Sequence, residues 1–292
     1  MSARWPLRLA LLAFAGCIDF ASIDVRIIGD SGSDTGTPVP IDTGETGRRD
    51  TAPPESESAP IDTDTALDTD MNAYTGPALG DDVLIYQGDG AMPVDAGPYL
   101  IDGVEELTAQ LNGLGAWVDM SETWPDDPGA YRLALWYLPT SNSPEGTVVP
   151  DETLLKIIDW MGRGGRLVIA GDVDGEYAGY SLTRGNDAID QILARLGVQI
   201  RINGDLNEKI SCAGASSHPI MADEVTLGSY TGNDLVIGAP AEWLYCDILA
   251  VQNVACGELV VSGDVNLVSD RPDLSPQLVE NLYSVPVTSS CG

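Results

Sequence analysis

Histidine is nearly absent from this chain: His218 is the only one in 292 residues. Any mechanism that pairs a nucleophile with histidine therefore has a single candidate base, and Pro219 follows it directly. Positive charge is scarce as well, with 14 Lys and Arg against 45 Asp and Glu, a formal net charge of −31. Nucleic-acid binders gather Lys and Arg on one face, so nucleic acid is excluded as a partner. The N-terminal apolar run, Leu9 to Ala15, is seven residues long, far short of the about 20 that cross a bilayer as a helix. No two of the five cysteines have the CxxC spacing of a redox or zinc motif. Phenylalanine is reduced to two residues, leaving six Trp and ten Tyr as the aromatic content.

What the N-terminus does contain is ordered. Arg4 and Arg8 precede the apolar run, which closes on Ala15-Gly16-Cys17. A positive segment, a short apolar core and small residues before a cut site are the parts of an export signal. The run ending in cysteine resembles a bacterial lipoprotein signal, with Phe14 in place of the usual Leu. The resemblance implies cleavage after residue 16, lipidation of Cys17 and an anchor of several acyl chains, each CH2 adding about 0.8 kcal/mol. It also implies sorting by the residue after the cysteine, where Ile18 rather than Asp favours the outer membrane. The expected location is the cell envelope, periplasmic or surface-exposed. Cys212, Cys246, Cys256 and Cys291 then remain, an even number that fits two disulfides in an oxidising compartment with three connectivities open.

From Gly29 to Asp81 the composition shifts to Asp, Thr, Gly, Ser and Pro, with Tyr74 the only aromatic residue. Nothing in this stretch can offset the entropy of folding. Pro40-Ile41-Asp42-Thr43 recurs as Pro60-Ile61-Asp62-Thr63 within low-complexity sequence. With 12 acidic and 2 basic residues, self-repulsion and proline stretch this disordered stalk beyond the roughly 40 Å of a flexible coil of that length. Asp62-Thr63-Asp64 and Asp68-Thr69-Asp70 lack the glycine turn and bidentate glutamate of a calcium loop and read as solvated charge. The organisation is thus a signal over 1–16, a lipidated N-terminus and linker over 17–81, and a folded domain over 82–292.

Past Asp82, short apolar runs alternate with helical periods, which predicts an α/β domain with a mostly parallel sheet, Rossmann-like or flavodoxin-like. Strands are expected at Val83–Tyr86, Leu133–Leu138, Arg166–Ala170 and Val198–Ile202. A strand-rich C-terminal part follows, with Asp234–Gly238, Ile248–Val251 and Glu258–Ser262. Helices are expected over Val104–Leu114, from a cap at Asp151 to Gly164-Gly165, over Asn186–Leu196 and over Pro276–Tyr283. Trp136 and Trp160 lie inside apolar patterns and read as core. Trp117, Trp124 and Trp243 sit near loop boundaries and read as surface residues able to stack on a sugar.

The succession "KIIDWMGRGG", "RLVIAGD", "NDAIDQILARLGV", His218-Pro219 and "GELVVSGDVNLVSD" resembles the class I glutamine amidotransferase-like fold. Its nearest flavour is the non-amidotransferase branch, the trehalose-utilisation-like and gliding or intraflagellar-transport-like domains. Catalytic members of that fold carry a nucleophilic cysteine on a Gly-x-Cys-x-Gly elbow. The matching stretch here is Gly171-Asp172-Val173-Asp174-Gly175, with no thiol, so the resemblance implies the fold without amidotransferase chemistry. His218 reads as a local cap more readily than as a base.

Three expected strands end in Gly-Asp: Gly88-Asp89, Gly171-Asp172 and Gly263-Asp264. In a parallel sheet these ends share one rim, where open α/β folds bind ligands. Asp89, Asp172 and Asp264, with Asp174, Asn266 and His218, are therefore the candidate ligand-binding residues, for a sugar or for a divalent cation such as Mg2+ or Ca2+. The competing expectation is that each Asp forms an Asx-turn or caps the next element. The sequence supports two functions: a membrane-anchored, non-catalytic module binding an envelope protein or glycan, or a carbohydrate-related enzyme or binding protein using the aspartate rim.

Overall fold

The structure, a computed structural model, describes residues 78–93, 98–144, 146–207, 216–222, 232–267 and 276–287. All of them belong to one compact unit, Ala59–Gly292. The signal segment, Cys17, the linker up to residue 77, Cys212 and Cys291 lie outside the described residues. Among the described residues, no helix is long and apolar enough to cross a membrane.

The elements run β1 (Asp82–Tyr86), α1 (Pro98–Gly113), β2 (Val118–Ser121), β3 (Tyr131–Tyr137), α2 (Asp151–Gly162), β4 (Arg166–Ala170), β5 (Glu176–Tyr177), β6 (Tyr180–Ser181), α3 (Leu182–Arg195), β7 (Ile200–Asn207), β8 (Gly232–Ile237), β9 (Glu242–Tyr245), β10 (Leu249–Val254), β11 (Gly257–Ser262) and α4 (Pro276–Ser284). Seven strands form the main sheet in the order β2-β1-β3-β4-β11-β10-β9. The β1–β2, β1–β3, β3–β4 and β4–β11 pairs are parallel, and β10 runs antiparallel to both neighbours. This is a mostly parallel, flavodoxin-like α/β fold.

The central strands are apolar on both faces because both faces are covered. Val83 and Ile85, Leu133 and Leu135, Val168, and Val260 face one core together with residues of α1 and α4. Leu84, Ala134 and Trp136, Leu167 and Ile169, and Leu259 and Val261 face a second core, filled by α2 and α3. The period-2 alternation thus decides which layer each residue enters, not whether it is buried.

A buried ion pair fixes α4 to the sheet. Arg166, at the start of β4, donates from Nε and Nη2 to Glu258 of β11 at 2.8 and 2.5 Å. Its Nη1 donates to the carbonyls of Leu282 and Val285. A guanidinium there satisfies carbonyls that the last turn of a helix leaves without intrahelical donors.

Several boundaries differ from expectation for identifiable reasons. Asp151 is the first helical residue of α2; the cap position belongs to Pro150, whose side chain caps nothing. α3 starts at Leu182, four residues before Asn186, because Ser181 accepts from the Arg184 N–H and caps it. β7 leaves the main sheet and pairs antiparallel with β8 alone. Trp124 is buried, with edge contacts to Tyr86 and Trp160 at 5.3 and 5.5 Å, which corrects its reading as a surface residue. Ordered contacts begin before Asp82: Gly80 N–H donates to the Gly129 carbonyl, and Leu79 packs on the second core.

Cys246 and Cys256 each take part in a disulfide. They flank opposite ends of β10, where Leu249 pairs with Tyr245 and Val254 with Gly257. At about 3.4 Å per strand residue, some five residues of β10 put about 17 Å between them, beyond the Cα separation of roughly 4.4–6.8 Å that a disulfide spans. They are therefore not bonded to each other.

Candidate functional site

The sheet order reverses at β1 and β3: the chain leaves β1 for β2 on one side, then returns to β3 on the other. Such a switch point opens a ligand crevice at the carboxyl ends of its two strands. Here the two loops are joined by their own backbones. Thr140 N–H donates to the Asp89 carbonyl at 3.0 Å, Asn142 N–H to the Gly90 carbonyl at 2.9 Å, and Met92 N–H to the Tyr137 carbonyl at 3.2 Å. Asp89, Leu138 and Thr140 take positive φ values of 54°, 42° and 61° to make these contacts. Backbone strain of this kind costs of order 1–3 kcal/mol per residue.

The three rim aspartates turn inward on the protein. Asp89 accepts from the Tyr86 hydroxyl at 2.7 Å. Burial first, then this bond, drives the Tyr86 pKa far above the ordinary phenol value. Asp172 Oδ1 accepts from the Val173 N–H at 2.7 Å, and Asp264 Oδ1 from the Asn266 N–H at 2.8 Å. The Asp264 bond, to the residue two on, is an Asx-turn, whereas the Asp172 bond closes on the next residue. Asn266 takes part through its backbone N–H.

The structure brings some of these residues together. Asn186 on α3 donates Nδ2 to the Asp172 carbonyl at 2.7 Å and to Asp174 Oδ1 at 2.9 Å. Asn233 on β8 donates Nδ2 to the same carbonyl at 2.7 Å, and its backbone N–H donates to the Gly263 carbonyl at 2.9 Å. Asp172, Asp174, Asn186 and Asn233 thus meet at the end of β4, and Gly263-Asp264 joins them from β11. Close approach dictates the glycines: a Cβ on Gly263 would overlap the Asn233 carbonyl oxygen, and one on Gly171 would sit 2.6 Å from Asn186 Oδ1. Asp89 stands apart, since β3 separates β1 from β4. Two strand spacings put its backbone about 10 Å from the end of β4, and three put it about 14 Å from that of β11. No group of three His, Cys, Asp or Glu side chains among the described residues is placed to hold a metal ion.

His218 lies elsewhere. Its Nδ1 accepts from the Ile220 N–H at 3.3 Å and starts the short 3-10 turn Pro219–Met221. It lines a cavity of about 360 Å3 with Glu242, Gln252 and Asn253. Asn253 pairs with Glu258 near the start of β11, whereas Asp264 follows the end of that strand. His218 therefore sits toward the opposite end of the sheet from the rim. Burial lowers its pKa below the ordinary imidazole value.

The stretch Gly171–Gly175 does not form a strand-to-helix elbow. The β5–β6 ribbon intervenes before α3 begins at Leu182. A nucleophile elbow projects its side chain from a sharp turn directly between strand and helix, and that turn is missing here.

Two residues of the β4 cluster, Asn186 and Asn233, escape the sequence pattern. Asn186 carried one signal, an amide on the apolar side of a helix, where a buried polar group needs partners. Of the tryptophans expected at the surface, Trp117 is 66% exposed and its Nε1 donates to Asp119 at 2.8 Å. Trp243 is half-buried against the second core. Trp117 belongs to the β2 edge, together with exposed Met120 on the strand and Leu114 at the end of α1.

No protein-family model matches the chain, and no curated protein matches it either. Solved structures do. The mmIFT52 N-terminal domain is 14% identical with a TM-score of 0.50, covering 69% of this chain and 95% of its own. The cytoplasmic protein STM3548 from Salmonella typhimurium is 17% identical with a TM-score of 0.47, covering 70% and 99%. A ThuA-like protein from Bacteroides uniformis is 13% identical with a TM-score of 0.38, covering 73% and 94%. At 14% identity the likeness to the first of these is one of fold.

Proposed function

We propose that this chain is an envelope lipoprotein whose α/β domain acts as a non-catalytic binding or scaffolding module, docking an envelope protein along the β2 edge. The observation that carries the reading is the fate of the switch-point crevice: the backbones of 89–92 and 137–142 bond across it, and the rim aspartates bond to neighbouring N–H and O–H groups. Backbone groups bonded across the crevice are closed to a substrate, and each bond the aspartates make within the protein leaves fewer acceptor positions for one. The β2 edge supplies the alternative surface, since an edge strand carries N–H and C=O groups able to pair with an added strand. Trp117 and Met120, exposed beside those groups, are side chains of the types that anchor interfaces.

On this proposal residues 1–16 are removed, Cys17 is lipidated, the segment after it serves as a stalk, and the outer membrane is the favoured site. Intact mass of membrane-extracted protein should carry the added acyl mass on a chain beginning at Cys17. Cross-linking in intact cells should recover a partner set that Cys17→Ala loses. An unmodified N-terminus, or the same partners from Cys17→Ala, would overturn the tethered reading. The second reading, sugar or cation binding at the rim, retains only the Asp174, Asn186 and Asn233 cluster, where the buried Asn233 Oδ1 has no hydrogen-bond partner among the described residues. Titration with monosaccharides and with Ca2+ tests that reading directly.

A further inference from the structure

A cavity of about 190 Å3 opens near the N-terminal ends of β3 and β4, lined by Arg132, Arg163 and Arg166 with Leu79, Gly164 and Tyr283. Three guanidinium groups share this small space in a chain with only 14 Lys and Arg. Their roles differ. Arg166 commits four of its five N–H groups to Glu258 and to the Leu282 and Val285 carbonyls, so it is a fixed charge in the wall.

Arg132 and Arg163 each face a carboxylate at the protein surface. Arg132 lies 3.4 Å from Asp81 and 5.5 Å from the centre of the Tyr283 ring. Arg163, itself nine-tenths buried, lies 3.6 Å from Asp127. The carboxylates of Asp81 and Asp127 are 73% and 89% exposed. The Arg132–Asp81 pair, with both side chains partly exposed, contributes about 0–1 kcal/mol, so a better-placed anion can displace Asp81. Arg166 also has its pKa lowered, chiefly by burial, with the Arg132 charge adding to the effect. The positive groups therefore repel one another across the cavity.

We propose that this cavity binds a small oxyanion, a carboxylate or phosphate group, held by Arg132 and Arg163 in the positive field of Arg166. The planar fork of each guanidinium matches the oxygens of either group. The volume corresponds to about six waters at about 30 Å3 each, room for a phosphate or a short carboxylate. Ala78 and Leu79 form part of the lining, so the anion would sit where the chain enters the domain.

Isothermal titration of the full-length protein with inorganic phosphate and, separately, with acetate tests this. The expected result is saturable one-to-one binding of at least one probe, weakened about tenfold or more by Arg132→Gln and by Arg163→Lys, the loss of one charge-assisted hydrogen bond. Arg195→Gln, which removes an arginine paired with Asp151 elsewhere, should leave binding unchanged. The tighter probe identifies the group. Arg132 is partly exposed, with 40% of its side chain open to solvent; an unchanged urea midpoint for Arg132→Gln shows that its effect reads on binding. No saturable binding of either probe at millimolar concentration, or binding that Arg132→Gln does not weaken, would overturn the assignment.

Discussion

Replacing Glu258 with Ala is the most severe single change the structure suggests for stability. Glu258 is fully buried and Arg166 nearly so, and the carboxylate takes two of the guanidinium's bonds. With Glu258 gone, a positive charge remains in a site that excludes water, held only by two carbonyls of the α4 end. Breaking a buried pair from one side costs about 3–5 kcal/mol. For a domain of this size each kcal/mol lowers Tm by about 2–4 °C, so the expected fall is about 6–20 °C. Urea unfolding followed by tryptophan fluorescence gives the equilibrium value, since Trp124, Trp136 and Trp160 are all buried. The double replacement Arg166→Met with Glu258→Leu should recover most of the loss, because it removes the unpaired charge along with the pair. A Glu258→Ala cost below about 1 kcal/mol, in the range of an exposed ion pair, would refute the reasoning.

Three further outcomes are expected. Asp190, half-buried and accepting from the Ile202 N–H at 2.8 Å, has its pKa pushed up to about 6, chiefly by burial. The folded state therefore prefers the protonated form, so this group's contribution is full below the ordinary carboxylate pKa of about 3.9 and is lost as pH rises through 6. Asp190→Asn should stabilise the domain by about 1–3 kcal/mol at pH 7.5 and by almost nothing at pH 4; a pH-independent difference would contradict this. Gly263→Ala must displace the Asn233 carbonyl and should cost about 1–3 kcal/mol in the same urea assay, whereas a neutral result would mean that β8 and the β11 end are not in contact. Peptide mapping without reduction should place Cys246 and Cys256 in separate cross-linked fragments; a Cys246–Cys256 peptide would contradict the strand register.

The sheet's centre was legible because strands covered on both faces leave long apolar runs. "VLIY", "LALWY", "RLVIA" and "ELVVS" all fall on strands, and the run of the second continues one residue past its strand into Leu138. The edges were not legible, since "VDMS" and "EWLY" are four residues each and mix polar with apolar side chains, as half-exposed strands do. Rim membership depends on sheet order, which local pattern does not encode. Asp89 and Asp172 share the Gly-Asp signature, yet β3 lies between their strands. The Asn233 contribution comes from β8, which stands outside the main sheet, so its place beside Asp172 is a purely tertiary fact. His218 shows the same limit: its Pro219 neighbour signalled a turn, but only the packing of 216–222 reveals which end of the sheet it occupies.

The central claim is that the domain works through its β2 edge and not through its strand-end rim. A photoreactive residue placed at Met120 in one variant and at Asp174 in another, followed by irradiation of intact cells, tests it most directly. The account predicts a discrete protein adduct from position 120 and none from position 174. Adducts from position 174 alone would contradict it.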